Sequence, residues 1–212
     1  MKKIVILISG RGSNMQALLA AKLPCQISAV ISNRADADGL DMAGKHGIAT
    51  RVVSHRDFAD RALFDTALAE VIDGYQPDFI VLAGFMRILT EQFVNRYRGR
   101  LINIHPSLLP AYAGMHTHER ALQDGVKIHG CTVHFVTPDL DHGPVIIQAA
   151  VPVLYGDTAQ TLSERVLKEE HIIYPQAIRW LCEGKVNLNA AGRTVSNCAE
   201  HARTALIAPN LE

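Results

Sequence analysis

Residues 101–110 read Leu-Ile-Asn-Ile-His-Pro-Ser-Leu-Leu-Pro, and the rest of the chain is best interpreted around this stretch. Its first half predicts a buried β-strand, because its apolar residues are mostly β-formers. Asn103 and His105 interrupt the apolar run two residues apart, so their side chains point to the same face. Pro106 ends the strand and leaves His105 at its carboxyl end. Open α/β sheets bind ligands outside the carboxyl ends of their strands, so the stretch predicts a site there.

Length and composition indicate one globular domain. A chain of 212 residues can bury one substantial core. Lys and Arg number 21, as do Asp and Glu, so no net charge favours nucleic acid or an anionic membrane. The four cysteines include no CxxC pair, which argues against a zinc site or a disulfide framework and favours reduced thiols in the cytoplasm. The first apolar run, Ile4–Ile8, is too short for a membrane span and predicts a first strand.

The order of strand and helix patterns predicts the fold class. Strand patterns at residues 2–8, 27–32, 50–53 and 79–83 alternate with amphipathic helix patterns, as in parallel α/β sheets. Two later strand patterns, 129–136 and 145–153, are joined by a short connection and predict an antiparallel pair. We therefore expect a Rossmann-like open, mostly parallel sheet with helices on both faces and an antiparallel C-terminal portion. Residues 1–186 are expected to form one domain, and 187–212 a loosely ordered tail.

A glycine-rich turn follows the first strand. It reads Ser9-Gly10-Arg11-Gly12-Ser13-Asn14 and leads into a helix. Two glycines let the backbone approach a ligand, Ser13 or Asn14 can cap the helix, and the helix N-terminus attracts an anion. The turn lacks the third glycine of a dinucleotide site and the lysine of a P-loop, so it indicates a monophosphate. The alternative is an ordinary strand-to-helix turn.

Three other features allow two interpretations each. The segment Gly84–Leu89 is either core or the wall of a flat aromatic ligand site. His116 and His118 suggest a metal, but a working site needs three or four ligands and no carboxylate or cysteine lies at a suitable spacing, so we expect none. Asp141 lies in a Gly-Pro turn, where a carboxylate is usually part of the turn itself.

Taken together, these motifs resemble the folate-dependent formyltransferase family. The resemblance rests on Asn-x-His-Pro-Ser-Leu-Leu-Pro, on Asp-x-Gly-Pro some thirty-five residues later, and on the Ser-Gly-x-Gly-Ser-Asn opening, which is similar to the branch that acts on glycinamide ribonucleotide (GAR). It covers roughly residues 2 to 180. His142 and Ala113 depart from the pattern, since related chains have a small residue and a proline at these positions.

The resemblance implies a role for each matching position. Asn103, His105 and Asp141 would be catalytic. GAR would be held by Gly12, Ser13, Asn14, Met15, Gln16 and Glu170. The formyl donor, 10-formyltetrahydrofolate, would be held by Arg61, Met86, Arg87, Ile88, Leu89, Asn103, Thr137, Pro138, Asp139, Leu140 and Asp141. The implied reaction moves the formyl group from this folate to the GAR amine in de novo purine biosynthesis, without a metal.

These residue types suit that chemistry. Formyl transfer passes through a tetrahedral carbon that carries an oxyanion, which the Asn103 amide and the His105 imidazole can stabilise. Asp141 can favour the imidazolium and pass a proton from the attacking amine to the leaving nitrogen.

The competing interpretation is a nucleotide sensor or a dehydrogenase. The missing third glycine, and Ser32-Asn33-Arg34 where an acidic residue would meet a ribose, argue against the dehydrogenase. We expect small-molecule partners only, with no nucleic acid and no membrane, and a monomer or weak homodimer.

Overall fold

The strand β1 (Lys2–Ile8) forms the centre of the parallel part of the sheet. Its last five residues, Ile4–Ile8, are completely buried, which explains the unbroken apolar run. It pairs in parallel with β2 (Cys25–Ser32) on one side and with β4 (Phe79–Leu82) on the other. The computed structural model describes residues 1–198 and residue 208.

The remaining elements follow in chain order. The other strands are β3 (Thr50–Val52), β5 (Leu101–His105), β6 (Ile128–Phe135), β7 (Val145–Pro152), β8 (Val186–Leu188) and β9 (Thr194–Ser196). The helices are α1 (Ser13–Ala20), α2 (Asp38–Lys45), α3 (Arg61–Asp73), α4 (Glu91–Arg96), α5 (Thr117–Gln123) and α6 (Ala159–Cys182), with a 3₁₀ turn at His55–Asp57. No helix in the described part of the chain is long and apolar enough to cross a membrane.

Seven strands form the main sheet in the order β3-β2-β1-β4-β5-β6-β7. The pairs β2–β3 and β4–β5 are parallel, like those of β1, and β6–β7 is antiparallel. This confirms the predicted Rossmann-like, mostly parallel sheet with an antiparallel C-terminal portion.

Backbone contacts divide the chain into two compact units. The first comprises residues 1–103 and 135–138, and the second comprises 104–134 and the described residues from 139 onward. The single domain expected over 1–186 stays a prediction.

In the first unit, the parallel register aligns the carboxyl ends of the strands. Ile8 pairs with Ser32, and Leu7 pairs with Leu82. The residues that follow these strands, Ser9, Asn33 and Ala83, therefore leave the sheet at one edge. Helix α3 packs into the core below them through Phe64, Leu68 and Ile72, which are spaced four residues apart and almost completely buried.

In the second unit, Thr132 on β6 fixes the segment that follows His105. Its hydroxyl donates to the Ser107 carbonyl at 2.7 Å and accepts from the Leu109 N–H at 3.0 Å and from the Gln148 amide at 2.9 Å. A buried hydroxyl with three partners explains why the Ser-Leu-Leu-Pro turn keeps a defined path.

The structure differs from the sequence-based predictions in three places. Helix α1 begins at Ser13 with Gly12 as its N-cap and no side-chain cap, so the predicted capping by Ser13 or Asn14 is wrong. Helix α4 was not predicted, because six residues are too few for a clear apolar period. Strands β8 and β9 pair as a hairpin, which corrects the predicted tail for residues 187–196; residues 199–207 and 209–212 lie outside the described residues.

The β8–β9 hairpin has a local physical cause. Val186 is buried, and the Asn189 side chain accepts hydrogen bonds from the backbone N–H groups of Ala191 and Arg193. An asparagine that closes such a turn gives two three-residue strands a fixed register without a long apolar pattern.

Candidate active site

A cavity of about 440 Å³ opens at the strand ends of the first unit. It is lined by the glycine-rich turn, by the segment after β2, by the 3₁₀ turn and by the segment after β4. The lining residues are Ser9, Gly10, Arg11, Gly12, Ser13, Asn14, Asn33, Arg34, His55, Arg56, Ala83, Gly84, Met86 and Arg87. The turn predicted to hold phosphate and the start of the segment predicted to hold folate thus share one cavity.

Hydrogen bonds between buried polar groups hold these segments together. The Ser9 hydroxyl donates to Asn33 Oδ1 at 2.6 Å and accepts from the Met86 N–H at 2.8 Å. The Ser9 N–H also donates to the Gly84 carbonyl at 3.1 Å. Ser9 therefore links the ends of β1 and β2 to the start of the Met86–Leu89 segment.

The glycine-rich turn has the backbone geometry of an anion site. Gly12 has a φ of +74°, which a residue with a side chain rarely adopts. A Cβ at Gly12 would lie 3.3 Å from the Cα of Gly39, which is a tight contact, so packing as well as the positive φ favours glycine here. The N–H groups of the first turn of a helix have no intrahelical acceptor and attract anions.

Positive charge dominates the cavity. Arg11, Arg34, Arg56 and Arg87 all line it. Of these, Arg34 forms an ion pair with Asp36 at 2.6 Å, which lowers the pKa of that carboxyl to about 2. The guanidinium groups of the other three form no ion pair within the described chain, so the cavity suits an anionic ligand.

In the second unit, His105 and Asp141 face each other. The Nδ1 atom of His105 lies 3.5 Å from Oδ2 of Asp141, and both side chains are more than nine-tenths buried. The Nε2 atom of His105 lies 3.0 Å from the Tyr112 carbonyl oxygen, which can only accept, so Nε2 carries a proton. Both ring nitrogens thus face oxygen atoms that can accept a hydrogen bond.

The Asp141 carboxylate has further neighbours in the second unit. Oδ2 accepts from the Gly114 N–H at 2.9 Å, and Oδ1 lies 3.9 Å from Nε2 of the buried His134. Asp141 also has a φ of +55°, an uncommon conformation for a residue with a side chain and one that often marks a functional position. The carboxylate is therefore held in place between two imidazoles.

Burial shifts the pKa values of other groups in the second unit. The pKa of His129 is lowered to about 4, mainly by burial and to a smaller extent by the nearby His118. Burial also lowers the pKa of His118. The two rings are joined by a 3.2 Å contact between Nε2 of His129 and Nδ1 of His118. Burial, followed by the charge of Glu170, raises the pKa of the Cys131 thiol to about 12, so this cysteine is not a nucleophile.

The structure brings some predicted site residues together and separates others. Gly12, Ser13, Asn14, Met86 and Arg87 share the cavity of the first unit, and His105 and Asp141 adjoin in the second. The cavity lining does not include Met15, Gln16, Arg61, Ile88 or Leu89. The Met15 side chain is completely buried in the core.

Sequence reasoning missed several residues of the site. Asn33, Arg34, His55 and Arg56 line the cavity, and His134 adjoins Asp141. For Asn33 and Arg34 the signal was their position directly after a strand. No local motif marks the others.

The described residues contain no group of three or more histidine, cysteine or acidic side chains arranged to hold a metal. His118 contacts His129, whereas His116 is exposed beside Glu119.

The chain is similar to known proteins in sequence and in structure. The chain matches the formyl transferase family over residues 2–178. It is 51% identical over 190 residues to the phosphoribosylglycinamide formyltransferase of Escherichia coli (strain K12), covering 88% of this chain and 90% of that protein. It is 49% identical over 195 residues to the trifunctional purine biosynthetic protein adenosine-3 of Bos taurus, covering 90% of this chain and 19% of that longer protein.

A solved structure is similar over nearly the whole fold. The phosphoribosylglycinamide formyltransferase from Coxiella burnetii superposes with a TM-score of 0.88 at 49% identity, covering 92% of this chain and 93% of that one. The family match over most of the length, together with a relative that is half identical, shows that this chain belongs to the formyl transferase family.

Proposed function

We propose that the protein is an enzyme of purine biosynthesis that transfers the formyl group of 10-formyltetrahydrofolate to the amine of GAR. One observation carries the proposal most directly: Gly12–Asn14, the phosphate turn, and Met86–Arg87, the start of the folate segment, line the same cavity. The relatives named phosphoribosylglycinamide formyltransferase support the same substrates. The enzyme would act in the cytoplasm on these two small molecules.

The phosphate of GAR would lie at the N-terminus of α1. The left-handed backbone of Gly12 and its tight packing against Gly39 favour glycine at this position, which lies in the cavity lining. The first-turn N–H groups of the helix would donate to the phosphate oxygens, and Arg11, which forms no ion pair with any described residue, would add charge.

The folate would lie along the Met86–Leu89 segment. Met86 is 70% exposed and Ile88 is 58% exposed, although both are large and apolar. Exposed apolar side chains next to a cavity are typical of a ligand site, which favours this interpretation over the alternative that the segment is core. Arg61 and residues Thr137–Asp141 would complete the folate site.

The catalytic step would use the residues at the end of β5. As the amine nitrogen of GAR attacks, a new C–N bond forms and the formyl oxygen becomes an oxyanion. Asn103 and His105 lie two residues apart on β5, so strand alternation supports a shared face. The His105 imidazolium would donate to the oxyanion, because a charged oxygen is a stronger acceptor than the neutral Tyr112 carbonyl.

Asp141 would move the proton. The attacking nitrogen becomes an ammonium, and the Asp141 carboxylate would accept one of its protons, directly or through water. The same proton would then pass to N10 of the folate as the bond between N10 and the formyl carbon breaks and the carbonyl reforms. Glu170, which is buried on α6, would bind the glycinamide end of GAR. No covalent intermediate is needed.

The test is formyl transfer by the purified protein. With 10-formyltetrahydrofolate and GAR together, we expect stoichiometric formyl-GAR and tetrahydrofolate. Omission of GAR should leave the folate intact. If formate were released without GAR as fast as formyl-GAR forms with it, the protein would instead be a hydrolase. If the formyl group passed neither to GAR nor to water, the proposal would be contradicted.

A further inference from the structure

The cavity of the first unit contains more positive charge than one phosphate at the glycine-rich turn uses. The turn binds through backbone N–H groups and lies beside Arg11, whereas His55, Arg34 and Arg56 come from the segments after β2 and β3. The proposed formyl transfer does not use these three residues. Asp36 is the carboxylate paired with Arg34, and it is not part of the cavity lining.

Arg34 is held in a fixed orientation. Its Nε donates to Asp36 Oδ1 at 2.9 Å and its Nη2 donates to Asp36 Oδ2 at 2.6 Å, which leaves Nη1 outside the ion pair. An arginine held through two nitrogens loses little further side-chain entropy when its third nitrogen binds an anion. Asp36 thus serves to orient this guanidinium.

His55 is fixed through one nitrogen only. Its Nδ1 lies 3.0 Å from the carbonyl oxygen of Asn33 and 3.1 Å from the Asn33 amide nitrogen. Because Asn33 is itself held by the Ser9 hydroxyl, the imidazole is anchored to the strand ends. The Nε2 atom has no hydrogen-bond partner among the described residues, and it can donate to an anion when it carries a proton.

Arg56 adds a second guanidinium group next to these two residues. It follows His55 in the 3₁₀ turn, and its charge helps to lower the pKa of Asp36, so it lies close to the Arg34–Asp36 pair. Its guanidinium forms no ion pair in the part of the chain that the structure describes.

We propose that Arg34, His55 and Arg56 form a second anion subsite in this cavity, and that it binds a second phosphate group of a ligand whose first phosphate lies at the glycine-rich turn. Guanidinium groups bind the oxygens of phosphates and carboxylates alike, and the phosphate already proposed at the adjoining turn is what favours a second phosphate here. The preferred ligands are then compounds with linked phosphates, and they compete with GAR. The inference rests on the proposed phosphate site at Gly12–Asn14.

Calorimetry on the whole protein at fixed ionic strength tests this with inorganic phosphate, pyrophosphate and tripolyphosphate as probes. At least one linked phosphate should bind about tenfold more tightly than phosphate, the scale of one charge-assisted contact. Arg56→Gln should remove most of this preference and leave the affinity for phosphate within about threefold. Arg51→Gln, at an exposed arginine of β3 outside the cavity, is the matched control and should change neither affinity.

The results separate this inference from the proposed function. Equal affinities for all three probes would overturn the subsite. It would also be overturned if Arg56→Gln and Arg51→Gln lost the preference for linked phosphates to the same extent. If formyl transfer to GAR is absent but the preference and its loss in Arg56→Gln are found, the subsite stands and the proposed reaction fails. If transfer occurs without the preference, only the subsite fails.

Discussion

Asp141 Oδ2 lies 3.5 Å from Nδ1 of His105, and solvent reaches less than a tenth of either side chain. This distance is longer than a normal hydrogen bond, so the two groups are close to each other but not directly hydrogen-bonded. In a buried environment a carboxylate stabilises a neighbouring imidazolium more strongly than it does in water. A change in the charge of Asp141 should therefore act directly on His105.

The phosphate turn gives the first prediction. Asn14→Asp places a negative charge at the N-terminus of α1, where it would repel the GAR phosphate. We expect KM for GAR to rise about tenfold, with little change in KM for the folate. Steady-state kinetics with each substrate varied in turn will measure both. Asn95→Asp, the same change at an exposed position of α4, should alter neither value, and an unchanged KM for GAR in Asn14→Asp would indicate an ordinary strand-to-helix turn.

Glu170 gives the second prediction. Its carboxylate is buried on α6 and close enough to Cys131 to raise the pKa of that thiol. If Glu170 binds the glycinamide end, Glu170→Gln should raise KM for GAR about tenfold and leave the folate affinity intact. Glu164→Gln, at an exposed position of the same helix, is the control. A large loss of thermal stability with a normal KM would assign Glu170 to the core.

The His118–His129 pair predicts how stability depends on pH. Because the pKa of folded His129 is about 4 and that of an unfolded histidine is about 6.5, the unfolded chain binds more protons between these values. Stability is therefore complete above pH 6.5 and is lost as the pH falls toward 4. From pH 7 to pH 5, this histidine should lower the free energy of unfolding by about 2 kcal/mol.

Urea unfolding at the two pH values measures this loss. His129→Gln should remove most of it, whereas His46→Gln, at an exposed histidine, should retain it. An equal pH dependence in wild type and His129→Gln would show that other groups cause the acid sensitivity.

Two glycines provide a matched test of packing. A Cβ at Gly130 on β6 would lie 2.0 Å from the Ala149 carbonyl oxygen, and backbone cannot yield easily. Gly130→Ala should therefore destabilise the protein by about 3 kcal/mol or more. A Cβ at Gly44 in α2 meets nothing within 4 Å, so Gly44→Ala should stabilise by about 0.5–1 kcal/mol. Similar melting temperatures for the two variants would contradict the packing at Gly130.

Local sequence signals predicted most of the fold. The unbroken apolar run of β1 and the alternation with helices were sufficient for the parallel sheet, because these patterns depend on neighbouring residues. Helix α4 and the β8–β9 hairpin were missed, since a Thr90 cap and an Asn189 turn stabilise them without a long apolar period.

The candidate site was predicted only where a motif marked it. His105 and the glycine-rich turn lie in recognisable local patterns. Tertiary packing brings three further residues to their sites, namely His55, Arg56 and His134. Their spacing in the sequence does not predict these positions. The hydrogen bonds from Nε2 of His105 to Tyr112 and from Gly114 to Asp141 use backbone groups, which every residue has.

The central claim is that Asp141 assists proton transfer through its charge. Asp141→Asn keeps the shape of the side chain and an oxygen to accept from Gly114, but it removes the negative charge beside His105. We expect kcat for formyl transfer to fall by about two to four orders of magnitude, the scale of general acid–base and oxyanion effects. Binding of GAR and of the folate should survive, as should the folded structure.

The decisive measurement is therefore kcat for formyl-GAR formation by Asp141→Asn at saturating substrates, beside calorimetric binding of each substrate. Asp41→Asn, at an exposed position of α2 outside the proposed site, is the control for a general loss of charge. The account predicts near-normal binding with kcat reduced at least about a hundredfold in Asp141→Asn alone. A near-normal kcat in that variant would show that Asp141 is structural and would contradict the mechanism.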